Sequence, residues 1–212
     1  MKLICESLEK EDYTQEIPEV NFTHPLIQQK VRELKSGLSH SSLAYIKKAY
    51  EFVRDEVSHS WDIQSRIITK TASEVLKEKK GICYSKCNLL AALLRAEGIP
   101  TGFCYQRLIL GDTIDTGYCI HALNAVYIKS EKKWIRLDAR GNKEGVQADF
   151  SLKKEKLAFP VNSAQGEVDY ATIYTKPRKE TMDVLSQHED CLDMYLHYLP
   201  TELQKEAGTN VF

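Results

Sequence analysis

No stretch of these 212 residues approaches the ~20 consecutive apolar residues of a membrane-spanning helix. An excess of one charge is also missing: 29 lysines and arginines offset 30 aspartates and glutamates, leaving a formal net charge of −1. That balance argues against nucleic acid or an acidic membrane as the main partner. No internal repeat, low-complexity tract or linker divides the chain, and no acidic loop has calcium-binding spacing. The start, Met1-Lys2-Leu3-Ile4-Cys5-Glu6, turns polar too soon for a signal peptide, so a cytoplasmic location is expected. Cysteines 5, 83, 87, 104, 119 and 191 are then expected to be reduced thiols, several of them packed as small hydrophobes.

With 42% hydrophobic residues the chain can bury a real core. Its length fits one domain over 1–212, with a core at about 40–140, an extended N-terminal arm at 1–24 and a closing helix at 179–199. A short helix is expected over 25–36, ending at Gly37. Ser41 or Ser42 should cap the next, whose apolar stripe is Leu43, Ile46, Tyr50, Val53 and Val57. Residues 58–62 read as a loop, and Thr71 or Ser73 starts a third helix running to about Lys79. After Pro100 the pattern turns extended. A strand is expected over 103–110, a loop over 111–117, then a hairpin of 119–128 and 131–138. Edge strands are expected near 146–150 and 167–174.

The stretch that organises the rest is Gly81-Ile82-Cys83 followed by a helix to Gly98 and Pro100. Leu89, Leu90, Leu93 and Leu94 recur at helical spacing, so this helix should be mostly buried. Gly81 is expected to permit a sharp entry turn. Cys83 then lies in the first turn, where unpaired N–H groups and the helix dipole favour a thiolate.

Gly-Ile-Cys at 81–83, Leu-Leu-Arg-Ala-Glu-Gly-Ile-Pro at 93–100, His121 and Trp-Ile-Arg-Leu-Asp at 134–138 occur in order. Together they resemble the transglutaminase-like branch of the papain-type cysteine enzymes over roughly residues 40–140. One departure stands out: Ala122 follows the histidine, where the family often has an aromatic residue. The resemblance implies an α+β fold, with a helical N-terminal half packed on an antiparallel sheet and a C-terminal helix. It also implies acyl chemistry at an amide, without a cofactor, on a peptide or an amide-containing small molecule.

Parity tests whether the hairpin brings the histidine and aspartate together. A two-residue turn at Lys129-Ser130 sets His121 opposite Asp138, with Cβ atoms ~5 Å apart. A turn centred one residue later slides them apart but keeps them on one face. Ile120, Ala122, Val126, Ile128, Ile135 and Leu137 then form an apolar opposite face, and the pair is expected to look toward the helix that carries Cys83. In this arrangement Cys83 is the nucleophile, His121 the proton carrier and Asp138 its orienting partner. The backbone N–H of Cys83 is one oxyanion donor. Related enzymes take a second from upstream, and Trp61 is the first candidate, with Gln64 and His59 behind it. Arg107 and Arg140 are candidates to flank the cleft.

Two rival readings use the same residues. Cys83, Cys87, Cys119 and His121 together have the donor types of a zinc-stabilised structural protein, although their spacing matches no familiar zinc motif. A non-catalytic binding module on the same fold is the other. Hydrolysis is preferred to transamidation, because a small residue at 122 and a glycine-flanked loop at 111–117 imply an open, wet site.

Overall fold

The computed structural model describes residues 1–38, 41–111 and 113–204; Asp112, within the expected 111–117 loop, lies outside them. The N-terminal segment is more ordered than an extended arm. It forms β1 (Ile4–Cys5) and a 3-10 turn (Lys10–Thr14) that buries Tyr13. The next two helices match expectation. α1 (Pro25–Lys35) starts on a proline, whose missing N–H has no intrahelical role there, and Gly37 follows with φ +76. α2 (Ser42–Glu56) is capped by Ser41, which accepts the Ala44 N–H. Ile46, Tyr50, Val53 and Val57 of its stripe are buried, and Leu43 is half-buried.

The expected loop after α2 holds β2 (Ser58–His59). Thr71 then caps α3 (Ala72–Glu78) in a reciprocal capping box with Glu74. β3 (Lys80–Gly81) pairs with β2 in parallel, His59 beside Gly81. α4 (Cys83–Arg95) follows directly, and every one of its residues is buried. Gly98, at φ +66, and Pro100 end it and turn the chain into the sheet.

The sheet is built from β4 (Thr101–Ile109), β5 (Tyr118–Ile128), β6 (Lys133–Leu137) and β7 (Val168–Asp169). Its order is β6-β5-β4-β7, and every neighbouring pair is antiparallel. β8 (Thr172–Ile173) pairs in parallel with β1 and so ties the N-terminal segment down. The strand expected near 146–150 reduces to isolated bridges, Lys143 to Val146 and Asp149 to Lys156.

The closing helix is two helices, α5 (Lys179–Gln187) and α6 (Cys191–His197). The break comes from Asp190, whose carboxylate accepts the N–H groups of Leu192 and Asp193 and so starts a new helix. Ile120, Ala122, Val126, Ile128, Ile135 and Leu137 join the core that contains the leucines of α4. The protein is therefore α+β: α4 is wrapped by helices on one side and by the apolar face of an antiparallel sheet on the other.

Candidate active site

Cys83 is set in place by what precedes it. Gly81 has no positive φ, so the expected sharp turn is not its role. Close approach is: a Cβ there would lie 2.4 Å from Ser85 Oγ and 3.0 Å from Thr69 Oγ1. Ile82 is the N-cap of α4 and supplies no side-chain acceptor. The first N–H groups of the helix, that of Cys83 among them, have no intrahelical acceptor either. The positive end of a 13-residue helix thus meets a thiol that is 8% exposed.

Three side chains fix the first turns of α4 against the rest. Tyr84 donates its hydroxyl to Ile120 O at 2.7 Å, one residue before His121. Asn124 Nδ2 donates to Cys87 O at 3.3 Å and to Gly102 O at 3.2 Å. Lys86 Nζ donates to Val57 O at 2.5 Å and Arg140 O at 2.8 Å. Burial, with Arg140 nearby, pushes the Lys86 pKa down to about 7. Nothing in the sequence marks this lysine as buried; it becomes so because all sides of α4 are covered.

The hairpin connection is two residues longer than the tight version, which centres the turn one residue later. Residues 129–132 form a four-residue connection with Lys132 at φ +50, and the register pairs Asn124 with Leu137. His121 and Asp138 are therefore not directly opposite. The shift is by two residues, which preserves parity and leaves both on the face away from the apolar set. The body of α4 packs on the apolar face, and the pair meets that helix at its start, where Cys83 contacts the imidazole.

Within that offset the side chains still meet. His121 Nε2 lies 2.8 Å from Asp138 Oδ2. The same oxygen accepts the Ala158 N–H at 3.1 Å, and Oδ1 accepts the Arg140 N–H at 3.2 Å. Burial opposes charge on His121. The Asp138 carboxylate and its hydrogen bond outweigh burial, and contact with the Cys83 side chain adds to them, so the imidazole is held above its usual pKa. Burial would likewise raise Asp138, yet the His121 charge and the two backbone N–H groups hold it below the usual carboxylate range. Both shifts favour imidazolium beside carboxylate, and Cys83 also contacts the ring.

Cys83 and His121 open into one cleft of about 590 Å³, which His59, Trp61, Phe159 and Tyr195 also line. Trp61 is stacked on Tyr195, with centroids 4.7 Å apart. Gln64 is exposed, and its amide donates to Trp61 O at 2.6 Å, closing its own turn. Arg140 lines the cleft and is held bidentately by Asp62, whereas Arg107 lies over the Tyr118 ring and donates to Thr201 O and Gly166 O.

Ala122 faces the core, so it does not shape the pocket beside the imidazole. An aromatic ring stands there all the same. Phe159 makes an edge contact with His121 at 5.1 Å, from an irregular stretch that gives no periodic signal. The small residue at 122 therefore does not open the site. The zinc reading falls too: among the described residues no three His, Cys, Asp or Glu side chains are grouped to hold a metal.

Selective alkylation is expected to follow from this geometry. Burial raises the thiols of Cys87 and Cys191 and pushes those of Cys104 and Cys119 up to about 12. Cys83 instead opens into the cleft beside His121, where a reagent and a proton carrier both reach it. Limiting iodoacetamide at about pH 6, where an ordinary thiol of pKa ~8.5 reacts slowly, should modify Cys83 ahead of these four. Peptide mapping that finds label spread evenly over all six cysteines would count against an activated Cys83.

A family model described as the transglutaminase-like superfamily matches residues 28–139. Among solved structures, the chain is similar to one called "a Putative Cysteine Protease from Cytophaga hutchinsonii", with 21% identity and a TM-score of 0.44. That match covers 60% of this chain and 40% of the other. A second similar structure is "a TGase", with 15% identity and a TM-score of 0.46, covering 89% of this chain and 55% of that one. The chain thus spans between two-fifths and just over half of the length of these two. No curated protein matches it.

Proposed function

Because the chain belongs to the transglutaminase-like superfamily, we propose that it is a cysteine-dependent enzyme that opens amide bonds through a thioester on Cys83, with water as the preferred acceptor. The observation that carries this reading is the buried His121–Asp138 pair at 2.8 Å, set against a cysteine at the start of α4 in a shared cleft.

The Cys83 thiolate attacks the carbonyl carbon; a C–S bond forms and the C=O electron pair moves onto oxygen. Collapse of that oxyanion breaks the C–N bond, and the His121 proton leaves on the amine. Neutral His121 then takes a proton from water as it attacks the thioester. The C–S bond breaks, the acid departs, and thiolate and imidazolium are restored. Asp138 keeps the ring oriented and stabilises its charged form throughout. The Cys83 N–H is one oxyanion donor; for a second, Trp61 and His59 both line the cleft.

The preference for water rests on the lining, where Lys143, Glu144 and Glu167 bring charged residues to the cleft. The substrate class is a peptide or an amide-containing small molecule. With such a substrate and a millimolar primary amine present, hydrolysed acid should dominate over amine adduct, and Cys83→Ala should form neither. Mass spectrometry of the products decides. Predominant adduct reverses the order of water and amine while keeping Cys83; turnover by Cys83→Ala removes the mechanism altogether.

A further inference from the structure

His59 is the buried one of the two candidates, Trp61 and His59, that line the cleft. It is 4% exposed, yet its ring lines the cleft shared by Cys83 and His121. Its Nδ1 is buried and has no hydrogen-bond partner among the described residues. With neither donor nor acceptor beside it, Nδ1 has nothing to hold a proton there, and that bears on which ring nitrogen carries the N–H.

Its backbone is fixed relative to the nucleophile. His59 pairs with Gly81 in the β2–β3 bridge, two residues before Cys83, and the next residue's N–H donates to Gly81 O at 3.2 Å. The ring edge meets the Tyr195 face at 6.0 Å, which limits its rotation. Burial comes first in holding the imidazole neutral; the positive charge of Arg140 adds to it, with Lys86 and His121 in the same sense, while Asp62 opposes. A neutral imidazole carries one N–H. With no acceptor for Nδ1, that proton belongs on Nε2, and since Nδ1 is buried, the edge toward the cleft is the one bearing Nε2.

Resting on the reading of Cys83 as nucleophile, we propose that His59 supplies the second N–H of the oxyanion hole, together with the backbone N–H of Cys83. A neutral donor suits this task. It stabilises a developing oxyanion without adding a cation that would compete with His121 for the thiolate. Trp61, the other candidate, is only half-buried, sits on a turn instead of a strand, and has its ring face stacked on Tyr195.

Two reactions of the same thiol separate the roles. Acylation by p-nitrophenyl acetate passes through an oxyanion; alkylation by iodoacetamide does not. His59→Ala should slow the nitrophenol burst by about 10²–10³-fold, the usual cost of one lost donor. Alkylation of Cys83 should stay within about twofold of the wild-type rate, which also reports an intact site. His59→Gln, which keeps bulk and an N–H, should recover at least about tenfold of the lost acylation rate.

The proposal is overturned if His59→Ala acylates at the wild-type rate, if acylation and alkylation fall together, or if His59→Gln is as slow as His59→Ala. A loss of the same size in Trp61→Phe, with none in His59→Ala, moves the donor to Trp61. Failure of the parent reading looks different: Cys83→Ala would then give an undiminished burst.

Discussion

Asp138→Asn should fold and yet lose turnover by up to about 10⁴-fold, the scale seen when the acidic member of a serine triad is replaced by its amide. The carboxylate receives three hydrogen bonds: from His121 and Ala158 on Oδ2, and from Arg140 on Oδ1. An asparagine has one oxygen for these two sites. If that oxygen serves Arg140, its NH₂ faces a backbone N–H, and the imidazole loses the acceptor that fixes its proton on Nε2. If it serves His121, the Arg140 N–H is stranded. Either way at least one buried donor goes unmatched, each at a cost of about 1–3 kcal/mol. The rate loss should therefore be far larger than this stability loss alone explains.

The pH dependence of that stability loss has a defined sign. The folded pKa of His121 is raised, so its share of the pair's stabilisation is complete below the ordinary imidazole value of ~6.5 and is lost as pH rises through the raised value. The folded pKa of Asp138 is depressed, so its share is present above the ordinary ~3.9 and is lost as pH falls through the lower value. The gap in Tm between wild type and Asp138→Asn should be widest between about pH 4 and 6.5 and should narrow on both sides. A flat gap would remove the ion pair as its cause. Unchanged turnover would remove Asp138 from the mechanism.

The sequence reached this pair through strand parity, which survives any even change in turn length. It could not reach the length of the turn, because Lys132 takes φ +50 where glycine or asparagine would have been the signal. Capping was legible for the same local reasons: Ser41 and Thr71 carry the acceptors that helix starts need. What stayed hidden is long-range or very short. β2 has two residues, too few to show alternation. Phe159 reaches His121 across 38 positions of chain, and Asp62 reaches Arg140 across 78, with no periodicity to announce either. Nothing at Lys86 announces the two backbone carbonyls that hold its ammonium inside the fold.

Arg95 is the position where a buried charge matters most for stability. The family-like stretch at 93–100 includes it, but its residue type gave no hint of what it holds. The side chain is 2% exposed and has no carboxylate partner among the described residues. It donates to backbone oxygens instead: Nε and Nη2 to Thr101 O at 3.0 and 2.7 Å, Nη1 to Gln15 O at 2.8 Å, and Nη2 to Thr175 O at 2.6 Å. One guanidinium thus joins the end of α4 and the start of β4 to the N-terminal segment and the stretch after β8. Burial lowers its pKa to about 10, which leaves it charged at neutral pH.

Arg95→Met keeps the length and the apolar stem but leaves three carbonyls short of a donor, each worth about 1–3 kcal/mol if dry. Removing an uncompensated buried charge returns part of that. A net loss of about 2–4 kcal/mol is expected, or about 10 °C in Tm for a chain of this size. Arg95→Lys, with one nitrogen for three acceptors, should fall between. Cys83 lies at the other end of α4, about 18 Å away at 1.5 Å per residue. Its alkylation rate at 20 °C should therefore stay near wild type in Arg95→Met, and proteolysis near Gln15 or Thr175 should rise. A Tm within about 2 °C of wild type, less than one kcal/mol on this scale, would mean that those carbonyls find other donors and that Arg95 does not hold the three segments together.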